Sequence, residues 1–314
     1  MVKVIDLECM LPAAEDGTRR SHEVNEHPIG PVSPHRLPPR PGYGFANYAN
    51  IFRAKALPAT GGSRESPRES GEPLGDEPRM SNAEFVALLD RAGVEKGVFR
   101  AASNAATVEI VREYPDRFIG LAYLSPFDGM RGVRELEWLV KEGGLGGFSV
   151  GALYEAIPPD DRRYYPYYAK CVELNIPVRI YTSMSYANDR PYDLAHPRHL
   201  DQIACDFPEL RIVAGLSGWP WVNDMVALLR RHPNLYCDTA AHRPRYFAQA
   251  GAGWEMFMQF GNTLAQDKVM VGLSWLLMGD TMEHLIAEYL DLPLKDSVKE
   301  KWLYRNAVRF FELT

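Results

Sequence analysis

The chain has 314 residues, 46% of them hydrophobic, and a net charge of −6. At roughly 150 residues per domain that length allows two domains, but a single α/β barrel takes roughly 250 residues or more, so one domain is expected. The acidic balance excludes nucleic acid as the expected partner, and no apolar run approaches the roughly 18 residues that a bilayer span needs.

The chain opens Met1-Val2-Lys3-Val4-Ile5-Asp6, which reads as the start of a strand over 2–10 rather than as a signal peptide. Residues 13–80 then break the pattern. They are rich in Pro, Gly, Arg and Ser, most of all at 31–41 and 61–78, and too long for a simple loop. Two readings stand side by side: a mobile surface insertion, or a lid or subunit-contact arm. The aromatic run Tyr43-Gly44-Phe45-Ala46-Asn47-Tyr48 favours partial order.

Beyond that point short apolar runs alternate with amphipathic stretches. Helical patterns cover 82–92, 104–113, 132–142, 164–174, 200–206, 221–231, 254–264 and 282–289. Strand patterns cover 97–101, 118–124, 147–152, 177–182, 210–216, 235–239 and 269–275. With 2–10 these make eight strand–helix units, so the expected fold class is α/β, a closed (β/α)8 TIM barrel. Residues 294–311, with Asn306 and Arg309, read as a helix closing it. No GxGxxG follows a strand, which argues against a dinucleotide site. Cys9, Cys171, Cys205 and Cys237 have no CxxC spacing and read as reduced structural thiols of a cytoplasmic protein.

Several local motifs occur together. They are Pro159-Asp160-Asp161-Arg162-Arg163-Tyr164-Tyr165-Pro166, Arg211-Ile212-Val213-Ala214-Gly215, Gly218-Trp219-Pro220-Trp221 and Asp267-Lys268-Val269. The ending runs from Leu292-Pro293-Leu294 to Asn306-Ala307-Val308-Arg309-Phe310-Phe311. In this order the chain resembles the amidohydrolase-related family of aminocarboxymuconate semialdehyde decarboxylase and the hydroxybenzoate decarboxylases. The resemblance covers most of the chain outside 13–80. It implies a catalytic metal at the C-terminal ends of the strands and a homodimer.

The residues at the implied ligand positions depart from that pattern. The family's Asp-x-His-x-His strand is Asp6-Leu7-Glu8-Cys9-Met10 here, so Glu8 and Met10 replace its histidines. Tyr181 stands at the fifth-strand His position, Leu216 at the sixth-strand His and Ser274 at the eighth-strand Asp. Zinc takes about three ligands from His, Cys and carboxylate. One carboxylate does not supply them, and Cys9 alternates away from Glu8 and Met10. The expectation is an enzyme with no metal and no cofactor.

Without a metal-activated water, hydrolysis of an unactivated amide is not expected, whereas proton-transfer chemistry is. Decarboxylation, isomerisation, elimination or hydration, and cyclisation all qualify, in a biosynthetic or degradative pathway. Glu8 is the candidate acid/base, its alternative being a salt-bridged remnant. Tyr181 is a candidate oxyanion donor or a filler of vacated space, and His242 a candidate proton carrier or a solvent-facing loop residue. Met10 and Leu216 read as apolar wall. Arg100 binds a substrate carboxylate or phosphate, or makes an internal salt bridge. Trp219 and Trp275, with Asp238 and Ser274 at strand ends, complete the expected substrate pocket, Ser274 having a local hydrogen bond as its other reading. Trp221 reads as core, and His196 and His199 as capping or surface residues. Ser183 and Ser185 have no His/Asp arrangement that makes a triad. The expected partner is a small organic substrate, not nucleic acid or membrane. Two other functions stay open: a non-catalytic ligand-binding partner of a catalytic paralogue, and a metal enzyme with an unconventional ligand set.

Overall fold

The β-branched and aromatic runs become strands, and the amphipathic stretches become helices, in the computed structural model, which describes residues 2–15, 78–185 and 190–313. The strands are β1 (Val4–Asp6), β2 (Val94–Phe99), β3 (Phe118–Tyr123), β4 (Gly147–Val150), β5 (Val178–Tyr181), β6 (Ile212–Gly215), β7 (Leu235–Asp238) and β8 (Val269–Met270). They lie in chain order in one eight-stranded sheet, each pairing parallel with the next. The first and last strands meet beyond their ends. The Leu7 N–H donates to the Val271 carbonyl (2.9 Å), and the Leu273 N–H donates to the Asp6 carboxylate (2.7 Å). The fold is a (β/α)8 barrel.

Helix α1 (Asn82–Ala92) shows how local chemistry sets the boundaries. Ser81 and Glu84 form a capping box at its start, Gly93 ends it at a φ of 77°, and Phe85, Leu89 and Ala92 form its buried face. Helix α2 (Asn104–Glu113) is capped in the same way by the Ser103 hydroxyl. Gly132 lies within a longer helix because the Tyr167 hydroxyl takes the place its Cβ would need, 2.0 Å away. Cys9, Cys171 and Cys237 are buried free thiols, and Cys205 is exposed. No helix among the described residues is long and apolar enough to cross a membrane.

Three elements differ most from expectation, the first being β1, which stops at Asp6 rather than running to residue 10. Strand β8 stops at Met270 rather than 275, because Ser274 turns the backbone at a φ of 47° and Trp275–Met278 is helical. The segment expected as one helix over 294–311 contains a π-helical stretch, Lys301–Arg305, between Asp296–Glu300 and Asn306–Phe310. There the Trp302 carbonyl accepts from the Val271 N–H of the barrel (3.1 Å) instead of serving only its own helix. The Asn306 amide donates to the Val269 carbonyl (2.7 Å). Ala307 and Phe310 pack on Ile5, Leu7, Val98, Leu121, Val213 and Met270, so this segment seals one end of the barrel interior.

The expected insertion over 13–80, with its aromatic run at 43–48, lies outside the described residues except at its ends. There Ala13 and Arg79 form a parallel bridge, and the Met80 N–H donates to the Ala13 carbonyl (3.1 Å).

Asp6, at the seam of the barrel, is fully buried. One oxygen accepts from Leu273 and from the Glu8 N–H (3.0 Å), and the other has no hydrogen-bond partner among the described residues. Burial pushes this carboxyl up to about 7 from 3.8. The folded protein therefore keeps a proton that the unfolded chain releases, and the contribution of Asp6 to stability falls as pH rises from about 4 to about 7. Asp6→Asn keeps the acceptor and removes the titration. Urea unfolding between pH 5 and pH 7.5 should show a fall in stability in the parent that is steeper than in the variant, by up to about 1.4 kcal/mol per pH unit. Equal slopes would mean that no proton resides on Asp6.

Candidate functional site

The seam at Asp6 delivers the next residues, Leu7 to Met10, over the C-terminal ends of the strands. A cavity of about 100 Å³ opens there, walled by Glu8, Met10, Arg100, Arg179, Tyr181, Leu216 and Ser274 among others. It is somewhat smaller than the roughly 150 Å³ cavity that accommodates benzene, so it suits a small ligand.

Its centre is Arg179, from β5. The guanidinium Nε donates to the Asp238 carboxylate of β7 (2.7 Å), and Nη2 lies 2.6 Å from the Glu8 carboxylate, an ion pair without the alignment of a straight hydrogen bond. Gly215 of β6 leaves room for this head, since a Cβ there would lie 3.1 Å from Nη2. Burial alone would lower the pKa of Arg179, but Asp238 and Glu8 outweigh burial and hold it above its usual value. The other Asp238 oxygen accepts from the N–H groups of Leu216 and Ala240, both at 3.0 Å. Asp238 thus fixes Arg179 and the backbone after β6 and β7 together.

Glu8 keeps 34% of its side chain open to the cavity but sits deep in the mouth of the barrel. Burial raises its pKa, while the nearby Arg179 and Arg100 pull it down. Arg100, following β2, is held differently. Its guanidinium lies 4.1 Å from the Tyr123 ring centre and 5.7 Å from that of Tyr154, and it has no ion pair among the described residues. The Tyr123 hydroxyl donates to Glu155 (2.7 Å), which locks that ring beside Arg100. Burial lowers the pKa of Arg100, but arginine stays charged in proteins. Its N–H fork is thus available to a ligand anion.

Tyr181 lines the cavity with its hydroxyl 3.4 Å from the Met184 carbonyl. Ser274 also lines it, and its hydroxyl accepts from the Ala241 N–H (2.9 Å), which is the local role anticipated for it. Met10 and Leu216 form apolar wall. Leu216, Ser217, Ala241 and Ser274 all have positive φ, an unfavourable conformation concentrated at this mouth.

Four expected residues stand elsewhere. Asp238 lies beneath the cavity, holding Arg179. Trp275 donates its indole N–H to the Met10 carbonyl (2.8 Å) and stacks on Phe85, tying down the chain after β1. His242 is buried between Trp219 and Trp254, at ring distances of 5.9 and 4.9 Å, rather than lining the cavity. Burial pushes it down to about 3, so it is a neutral imidazole near pH 7. Trp219 packs there instead of on the ligand side. Arg179 and Tyr154 were not anticipated in the site. Arg179 was legible in principle: it lies two residues from Tyr181, on the same face of β5, and a charge inside a barrel strand needs a partner.

A divalent metal does not fit these residues. Among the described residues the cavity wall holds no histidine. Glu8, the one carboxylate among those described lining residues, already faces a guanidinium. Burial raises the Cys9 thiol well above its usual range, away from the thiolate that binds metal. Among the described residues, Asp280, His284 and Glu288 cluster elsewhere, but Arg243 bonds Asp280 and Glu288 and fills that cluster with its own charge.

Comparison with known proteins agrees with the architecture. The amidohydrolase family model matches residues 46–313. Over 135 residues the chain is 32% identical to a 2-keto-4-carboxy-3-hexenedioate hydratase of Sphingobium sp., a match that covers 37% of this chain and 40% of the hydratase. A TIM-barrel protein from Bordetella bronchiseptica superposes with a TM-score of 0.68 at 24% identity, covering 99% of each chain. A 5-carboxyvanillate decarboxylase from Novosphingobium aromaticivorans, solved with manganese and 4-hydroxy-3-methoxy-5-nitrobenzoic acid, superposes with a TM-score of 0.56 at 17% identity, covering 73% of this chain and 80% of its own. Both structures share the barrel. With the family match spanning every strand after β1, the chain belongs to the amidohydrolase family.

Proposed function

We propose that this protein is a metal-independent enzyme that carries out acid/base chemistry on a small unsaturated organic acid, as a lyase of the hydration, elimination or decarboxylation type. The observation that carries the reading is the pairing, in one small cavity, of a cation without a carboxylate partner among the described residues, Arg100, with a partly open carboxylate, Glu8. Arg100 takes the substrate carboxylate through charge-assisted hydrogen bonds. Glu8 moves the proton; burial raises its pKa above the usual carboxylate value, against the pull of Arg179 and Arg100. Tyr181 and Ser274 border the same space. His242 takes no part, because it is packed between tryptophans and does not line the cavity.

The relatives support this reading by their names alone: a hydratase and a decarboxylase, each acting on a carboxylic acid. A positioned acid or base supplies about 10²–10⁴-fold in rate, which suits an activated acid and falls short for an unactivated amide. The ion pair between Glu8 and Arg179 favours one other reading, a ligand-binding protein whose carboxylate is purely structural.

A panel of 2-oxo acids, unsaturated dicarboxylic acids and hydroxybenzoic acids tests these readings. The expected result is turnover that survives exhaustive chelation and falls about 10²–10⁴-fold in Glu8→Gln. Turnover abolished by chelator and restored by manganese would replace the metal-free reading. Binding across the panel with no turnover would establish the ligand-binding one.

Arg100→Met should raise KM for the accepted acid by about tenfold or more, with a smaller effect on kcat, because a charged hydrogen bond is lost in ground and transition state alike. An unchanged KM would place the carboxylate elsewhere.

A further inference from the structure

The proposed reaction leaves one feature of the cavity without a role. Arg179 brings a second guanidinium to the same wall, 13% exposed, anchored by Asp238 on one side and paired with Glu8 on the other. A residue needed only to neutralise Asp238 has no reason to reach the ligand space. The head is also seated on purpose-built backbone, since Gly215 is the one residue type that leaves its position clear.

We infer that Arg179 is a catalytic residue that stabilises the oxyanion formed next to Glu8, and that the site takes a monoanionic 2-oxo acid, with its carboxylate on Arg100 and its keto oxygen towards Arg179. This inference rests on the proposed acid/base reading and assigns its electrostatic half.

Charge counting supports the substrate class. Among the described residues, the two positive charges of Arg100 and Arg179 are balanced by Glu8 and Asp238. A monoanion adds one charge, whereas a dianion adds two against two fixed carboxylates. Size agrees, because about 100 Å³ accommodates a short acid and not a large polycyclic one.

The step conserves charge within the site. Glu8 removes a proton from the carbon next to the keto group, so that the C–H bond breaks and an O–H bond forms on the carboxylate. The C–H electron pair forms the new C=C bond, and the carbonyl pair moves onto oxygen as an enolate. As Glu8 becomes neutral its claim on Arg179 lapses, and the guanidinium can turn its attraction to the new oxyanion a short distance away. Positive charge is released from one partner as the other appears, with no reorganisation of solvent.

Calorimetric titration with oxamate and with acetate tests this without any turnover. Both offer a carboxylate to Arg100, but only oxamate adds a carbonyl oxygen for Arg179. Oxamate should bind the parent about tenfold or more tightly than acetate. That advantage of oxamate over acetate should disappear in Arg179→Met and persist in part in Arg179→Lys. Gly215→Ala keeps the charge but crowds the head at 3.1 Å, and it should erode the same advantage even if Arg179→Met does not fold. An oxamate advantage that is unchanged in folded Arg179→Met or in Gly215→Ala overturns the inference and leaves Arg179 as a structural tie. Failure of oxamate to bind the parent overturns it as well. Arg179-dependent oxamate binding in a protein without lyase turnover would uphold the oxyanion site and remove only the catalytic reading it rests on.

Discussion

A single guanidinium held between two carboxylates organises the mouth of this barrel. Arg179 starts on β5, rests on β6 at Gly215, bonds β7 at Asp238 and reaches Glu8 just beyond β1. Charges in such surroundings are tolerated only when paired, and removing one member of a buried pair typically costs about 3–5 kcal/mol. The pairing therefore does more than offset charge. It links four strand ends at the mouth and holds the Glu8 carboxylate that faces the cavity.

The backbone around this cluster is not relaxed. Leu216, Ser217, Ala241 and Ser274 adopt left-handed conformations that suit glycine better, each at a cost of about 1–3 kcal/mol. The compensating bonds are on the same residues. Asp238 accepts from the Leu216 N–H, Ser274 accepts from the Ala241 N–H, and the Ser217 hydroxyl donates to the Asp238 carbonyl at 2.7 Å. One wall becomes apolar through Met10 and Leu216, while Glu8, Arg100 and Arg179 face it with charge. A ligand with one charged end and one unsaturated body matches that asymmetry.

The barrel was legible because its signals are local. Alternating runs gave the strands, and the helical pattern over 82–92 gave α1 with the bounds that the Ser81–Glu84 box and Gly93 set in the structure. Glu8, Met10, Tyr181, Leu216 and Ser274 were identified for the site because they stand at the ligand positions that the family resemblance implies, and the cavity gathers all of them. What escaped was set by contacts distant in sequence. Arg179 sat inside an apolar run, and only its partners 171 positions before and 59 after it in the chain explain its charge. Trp275 and His242 look like ligand-facing groups in a string of letters, but their surroundings come from Phe85, Met10, Trp219 and Trp254. The π-helical turn at Lys301–Arg305 arises from a bond to Val271, which no helix propensity encodes.

The bridge between Ala13 and Arg79 pins together two points that are distant in the chain. The chain leaves the barrel after β1 and re-enters before α1 at two neighbouring points, and a main-chain hydrogen bond joins them. Bringing two such points together costs loop-closure entropy, which grows by only about 0.6 kcal/mol for each doubling of the length between them. The length of chain between residues 13 and 79 therefore weighs little on β1, α1 and the carboxylate at the seam, because the two points that border it are already joined to each other.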